Sequence, residues 1–129
     1  MGQGPRMNAV WWSSVVLALL LAGCAGGKSK SVDLTDNQFE EDGKNILFLR
    51  ESSANPSLTI TFTNRGLADH TVTVHLPPAA STEFVHDQAL SPGAKTSFKF
   101  DQLATYHVFC KNHGGIGTGM NFEVTLAKL

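Results

Sequence analysis

The sequence predicts an all-β domain, a β-sandwich or barrel of about seven to eight short strands, preceded by an apolar signal segment. Three observations predict it. After residue 30, apolar residues recur at every second position in short runs, the period of a half-buried strand and not of a helix. Turn formers separate the runs: Asn55-Pro56, Arg65-Gly66, Pro77-Pro78, Pro92-Gly93 and the glycines at 114, 115, 117 and 119. The length of 129 residues, 42% hydrophobic and 16% charged, suits one small domain with its own core. A formal net charge of -1, with no basic stripe and no interleaving of aromatic and basic residues, excludes a nucleic-acid partner.

The N-terminal segment comes first. "AVWWSSVVLALLLAG" is a continuous apolar run preceded by one charge, Arg6. It is shorter than the ~20 residues of a membrane-spanning helix and fits the apolar core of a secretory signal. Its end, "LAGC" (Leu21 to Cys24), resembles the lipobox of bacterial lipoproteins, in which the cysteine carries lipid and becomes the mature N-terminus. Retention of the run as an uncleaved anchor and an ordinary signal cut near Ala22 or Ala25 are the alternatives. All three export the domain. The expected layout is a signal peptide over 1–23, a lipidated Cys24 with a flexible linker over 24–31, and a folded domain over 32–129. With Cys24 lipidated, Cys110 is the only other cysteine, so no intramolecular disulfide is expected and the thiol is either buried or held by a ligand.

The strands follow in order. "SVDLTDNQF" (31–39) opens the series and "NILFLRE" (45–51) is more continuously apolar. "LTITFTN" (58–64) alternates strictly, with Leu58, Ile60 and Phe62 on one face and threonines on the other. "HTVTVHL" (70–76), "TSFKFD" (96–101), "ATYHVFC" (104–110) and "MNFEVTL" (120–126) complete the set. Residues 77–95 are less regular, and a long connection with one short strand or helical turn around Glu83–His86 is expected there.

Side chains alternate across a strand, so parity says which residues share a face. Val72, Val74 and Leu76 make the even face of their strand the inward one, and His70 belongs to it. His75 falls with Thr71 and Thr73 on the face expected to meet solvent. Cys110 follows Tyr106 and Val108 on an even, inward face; His107 is on the odd face. Met120 begins a strand whose even residues, Phe122, Val124 and Leu126, are all apolar. His70, Cys110 and Met120 are thus expected at inward-facing strand ends, with His113 in the loop between the last two strands. His86 and His107 are expected as surface histidines.

One thiolate, two imidazoles and a thioether form a soft, mixed donor set. Two His and one Cys with a weak axial Met is the ligand set of blue-copper electron-transfer sites. Structural zinc more often takes four Cys or His ligands, and calcium or magnesium takes oxygen.

The segments that carry these residues resemble the cupredoxins of the plastocyanin/azurin family. "FTNRGLADHTV" resembles the segment leading to the first ligand histidine. "LSPGAKTSFKF" resembles the Leu-x-Pro-Gly turn and its following strand. "TYHVFCKNH" resembles the Cys-x-x-His signature, and "GMNFEVTL" the methionine that opens the last strand. The resemblance runs from about Val32 to Leu126. It implies a Greek-key β-sandwich, His70, Cys110 and His113 as equatorial ligands, Met120 as the axial one, and one copper ion cycling between Cu(I) and Cu(II). The chain departs from the family pattern in three places. Six residues separate His113 from Met120, more than in plant plastocyanin; Ala104 stands where many relatives have glycine; and Thr71 follows the first ligand where Asn is common, its hydroxyl still able to support the cysteine loop. The glycines of the ligand loop are expected to make it flexible.

The function implied is a one-electron carrier at the cell envelope. It would be a monomer, lipid-anchored to the membrane through Cys24, docking a redox partner such as a cytochrome or oxidase near His113. An apolar surface of Leu76, Pro77, Pro78, Ala79, Ala80 and Ile116 would surround that histidine. The alternative is a copper-binding or delivery protein using the same ligands. An enzyme is not expected: no third group orients a Cys110–His113 pair as nucleophile and base, and five histidines do not supply the extra clusters of a copper oxidase.

Overall fold

The computed structural model describes residues 27–76 and 84–129. Among the described residues, ten strands form two five-stranded sheets. In chain order they are β1 (Lys28–Leu34), β2 (Phe39–Glu41), β3 (Lys44–Asn45), β4 (Phe48–Ser53), β5 (Leu58–Asn64), β6 (His70–His75), β7 (Phe84–Leu90), β8 (Lys95–Phe100), β9 (Thr105–Gly115) and β10 (Thr118–Lys128). One sheet has the order β3-β2-β1-β5-β8 and the other β4-β10-β9-β6-β7. The chain passes from sheet to sheet repeatedly, at β3–β4, β4–β5, β5–β6, β7–β8 and β8–β9, so each sheet is assembled from non-consecutive segments. The all-β sandwich expected from the alternation is the fold observed.

The alternation places the core as expected. Leu58, Ile60 and Phe62 of β5 are buried and their neighbours half-buried. Phe122, Val124 and Leu126 of β10 are buried likewise. Between the sheets, Phe39, Phe62 and Phe122 pack as a cluster, with Phe39 and Phe122 edge to face at 5.0 Å. Toward the other end, Phe100 and Tyr106 meet at 4.9 Å, also edge to face. The buried Tyr106 hydroxyl accepts the Gln102 amide at 2.9 Å, which satisfies its polar end.

Four features differ from the sequence reading. The count exceeds seven to eight because a hairpin, β2–β3, turns at Asp42-Gly43, both with positive φ (52° and 76°). An Asp-Gly pair there matches the two-residue turns that suit strand twist. The first strand begins at Lys28, inside the segment expected as a linker, because its residues pair in parallel with β5 from Lys28↔Leu58 onward. The ion pairs Lys28–Glu51 (3.3 Å) and Lys30–Glu41 (3.0 Å) tie the same strand to β4 and β2. The irregular stretch holds a full strand, β7, antiparallel to β6 from His70↔Leu90 to His75↔Phe84. Its residues are mostly exposed, because β7 is an edge strand, and this erased the apolar alternation.

The fourth difference concerns β6. All six of its residues are buried, including Thr71, Thr73 and His75 on the face expected to meet solvent. Strands β7 and β9 flank it on both sides. Over its outer face, Phe84 packs edge to face on Phe109 at 5.7 Å, and Lys111 reaches Asp87 at 2.6 Å. Parity identifies opposite faces of a strand, but neighbouring strands decide which faces are wet.

Candidate metal centre

The site lies where β6, β9 and β10 come side by side. His70 opens β6; its ring is fully buried. Cys110 continues the inward face of β9 and is fully buried. His113 is not in a loop: it belongs to the same strand, in a hairpin that runs to Gly115. The pairing of β9 with β10 proceeds from Thr105↔Thr125 to Phe109↔Asn121, breaks, and resumes at Gly114↔Gly119 and Gly115↔Thr118. Residues 110–113 on one strand therefore oppose Met120 alone on the other. This bulge redirects the Cys110 and His113 side chains. Gly119 holds φ at 62°, and a Cβ there would collide with the His113 carbonyl oxygen. Gly114 and Gly119 thus allow the hairpin to close tightly.

The three donors converge. Cys110 Sγ stands 3.7 Å from His70 Nδ1 and 3.4 Å from His113 Nδ1. One ligand atom from each of the three residues lies within 4.8 Å of the others, and this is the one such group of His, Cys, Asp or Glu among the described residues. His70 and His113 rings are 4.7 Å apart by centroid, and His113 is exposed while the other two donors are buried. Met120, buried at 2% exposure, faces this bulge from β10.

The surroundings orient each donor. The Thr71 amide donates to Cys110 Sγ at 3.3 Å. The Thr71 hydroxyl oxygen accepts the Lys111 amide at 2.8 Å, which ties β6 to the chain just past the cysteine. The Thr73 hydroxyl donates to Asp87 at 3.0 Å, so its oxygen is left to accept the Thr71 hydroxyl proton across 3.0 Å. Lys111, hydrogen-bonded to Asp87, holds that carboxyl below its usual range. On the other side of the site, Asp36 reaches from the β1–β2 turn to His70 Nε2 at 3.0 Å. It also accepts the amides of Leu67 (2.9 Å) and Ala68 (3.1 Å). The hydrogen bond with His70 and then these two amides lower the Asp36 pKa to about 2. Asn64, fully buried, secures the intervening loop: its amide nitrogen donates to the Ala68 and Leu90 carbonyls at 2.9 Å, and its oxygen accepts the Gly66 amide.

Sequence reasoning therefore found the converging donors and missed Asp36 and Asn64. Asn64 could have been found from parity, since it continues the inward face of Leu58, Ile60 and Phe62 as a polar residue that must be satisfied. Nothing in "LTDNQ" signals that Asp36 meets a histidine 34 positions later. The histidines set aside lie elsewhere. His86 is half-buried against Phe98 (5.3 Å), and burial lowers its pKa. His107 lies 3.7 Å from Glu123, and buried His75 is its cross-strand neighbour. Cys24 and residues 77–80 of the expected apolar surface are outside the described residues; Leu76 is half-buried and Ile116 exposed.

The model of the copper binding proteins, plastocyanin/azurin family, matches residues 37–127. The chain belongs to that family. The cupredoxin fold is also shared with solved structures. A dithionite-reduced auracyanin from Roseiflexus castenholzii is 18% identical over 80% of this chain and 98% of its own, with a TM-score of 0.52. Rusticyanin from Thiobacillus ferrooxidans is 20% identical over 78% of this chain and 79% of its own, with a TM-score of 0.55. A multicopper oxidase is 16% identical over 78% of this chain but only 42% of its own, with a TM-score of 0.51. At these identities the likeness is one of fold. No curated protein sequence matches the chain.

Copper is the cofactor of this cupredoxin, and the donors present suit it. Two imidazole nitrogens turned toward one sulfur make a soft set with strong thiolate character, open to both Cu(I) and Cu(II). No carboxylate joins the group, as a hard cation would require.

Proposed function

We propose that this cupredoxin is a blue-copper one-electron carrier in which His70, Cys110 and His113 would hold the metal and Met120 would supply a weak thioether donor. The single observation that carries the proposal is Cys110 Sγ set between two Nδ1 atoms at 3.7 and 3.4 Å. Bound there, copper supplies a one-electron couple. The protein's part is to fix the donors beforehand. His70 is held by Asp36, Cys110 by the Thr71 amide, and the Cys110–Lys111 backbone by the Thr71 hydroxyl. A site that changes little between oxidation states favours fast exchange. His113, the exposed donor, supplies the edge through which electrons pass to a redox partner such as a cytochrome or oxidase. A small contact around His113 and Ile116 suits a partner that must leave after each transfer.

The protein is further proposed to act as a monomer at the cell envelope, exported by residues 1–23 and lipid-anchored to the membrane through Cys24. "LAGC" at Leu21 to Cys24 supports this.

The test is a visible and EPR spectrum of the full-length chain in detergent micelles after addition of Cu(II). An intense thiolate-to-copper band with narrow copper hyperfine splitting is expected. A pale product with ordinary splitting would show that Cys110 is not a ligand. His113→Gly should keep the fold and slow electron exchange with a partner protein; unchanged exchange would remove His113 from the electron path.

A further inference from the structure

Among the described residues, Asp36 is the one charged side chain hydrogen-bonded to any of the three converging donors. It comes from the opposite sheet. Its turn, residues 35–38, is closed by the Thr35 amide on the Gln38 carbonyl (2.9 Å) and by the Thr35 hydroxyl oxygen accepting the amides of Asn37 and Gln38. The Arg65 amide donates to the Leu34 carbonyl at 2.8 Å, so this turn and the loop before His70 are fastened to each other. The contact is close enough to dictate a neighbour. A Cβ at Gly66 would overlap the Asp36 carboxylate oxygen and come within 3.0 Å of His70 Nε2.

The hydrogen-bond pattern fixes the proton. Asp36 Oδ1 already accepts two backbone N–H groups, from Leu67 and Ala68. An ionised carboxylate accepts only, so His70 Nε2 is the protonated ring nitrogen and donates. In the neutral imidazole the other nitrogen, Nδ1, then carries the lone pair, and it is the one that faces Cys110 Sγ.

We propose that Asp36 is a positioning residue that locks His70 in the tautomer able to bind copper through Nδ1 and, by its negative charge, favours Cu(II) over Cu(I). The inference rests on the copper reading above. The ring is fully buried whereas the carboxylate is 40% exposed. The charge therefore bears on the site from its solvent side without joining the ligands. Carboxylate partners of metal-bound histidines raise ligand basicity, and their loss typically costs about 10- to 100-fold in metal affinity.

The experiment uses the full-length chain in detergent micelles and compares wild type with Asp36→Asn and Asp36→Glu. Two properties are measured: the reduction potential, followed at the blue band, and Cu(II) affinity, by competition with a chelator. Imidazole ¹⁵N shifts of metal-free wild type report the His70 tautomer without any copper. Asp36→Asn should keep the blue band, bind Cu(II) about 10- to 100-fold more weakly, lose less Cu(I) affinity, and show a raised potential. Each tenfold difference between the two oxidation states is 59 mV for a one-electron couple. Asp36→Glu, which keeps the charge, should recover part of the change. A blue Asp36→Asn protein with wild-type potential overturns the proposal, and so does a His70 protonated at Nδ1 in the metal-free protein. If wild type gives no blue band, the copper reading fails, and the tautomer still decides the role of Asp36. Should Asp36→Asn not fold, the tautomer and the potential of Asp36→Glu carry the decision.

Discussion

Thr71→Val removes one oxygen and little volume, which makes it a sharp test of how the cysteine strand is held. The hydroxyl oxygen of Thr71 accepts the Lys111 amide at 2.8 Å and shares a hydrogen bond with Thr73 at 3.0 Å. Valine opens no cavity, and the Thr71 amide still points at Cys110 Sγ. Thr73 keeps its donor bond to Asp87. The main loss is one amide, that of Lys111, left without its acceptor. An unsatisfied buried donor costs about 1–3 kcal/mol. Lys111 is exposed on its outer side, so water relieves part of this and about 1–2 kcal/mol is expected. At about 4–8 °C per kcal/mol for a domain of this size, the melting temperature should fall by roughly 5–15 °C. Urea unfolding of the metal-free protein measures the free energy and a thermal melt the temperature shift, with Thr71→Ser as control because it retains the oxygen. If valine is as stable as wild type, or serine loses as much as valine, the hydroxyl is not what fastens β9 to β6.

Three more outcomes follow from the same contacts. Phe122→Ala empties the middle of the Phe39–Phe62–Phe122 cluster and should cost about 3–5 kcal/mol in denaturant unfolding; a loss below about 1 kcal/mol would mean that the sandwich closes over the gap. Met120→Leu conserves volume at a buried position and should cost less than about 1.5 kcal/mol, while the copper spectrum and potential shift because the thioether is gone; an unchanged potential would exclude Met120 as a ligand. Burial lowers the His86 pKa below its ordinary 6.5, so the unfolded chain binds more protons than the folded one as pH falls through and below 6.5. Stability should therefore decline over that acidification, and the wild-type decline should exceed that of His86→Gln in paired urea melts; identical pH slopes would show that His86 makes no such contribution.

The amount of fold legible in the sequence varies with position in the sheets. β5 and β10 lie inside their sheets with one face on the core, so Leu58, Ile60 and Phe62, and Phe122, Val124 and Leu126, announced themselves by alternation. β7 is an edge strand with little to bury and shows no such pattern, whereas β6 alternates in sequence although both of its faces are buried, so its threonine face reads as wet. The Asp42-Gly43 hairpin was legible and overlooked, since an Asp-Gly pair between short runs is a strong turn signal. His113 reads as a loop residue because glycines follow it, whereas those glycines close a hairpin on which Gly115 pairs with Thr118.

The sequence by itself determined the donor types, their order along the chain and the faces on which His70, Cys110 and Met120 stand. Those properties are local, set by side-chain chemistry and by the two-residue period of a strand. Only the tertiary structure decided that Cys110 Sγ lies between the Nδ1 atoms of His70 and His113, and that Asp36 waits behind His70. It also decided that Thr71 and Thr73 form a buried hydrogen-bonded relay instead of a wet face. Each of these depends on which strands become neighbours and on where the β9–β10 register slips. Asp36 and His70, 34 positions apart, meet because two sheets pack face to face, and His70 and Cys110, 40 positions apart, meet because β6 and β9 become neighbours in one sheet. A one-dimensional pattern carries the period of each strand and not the pairing between them.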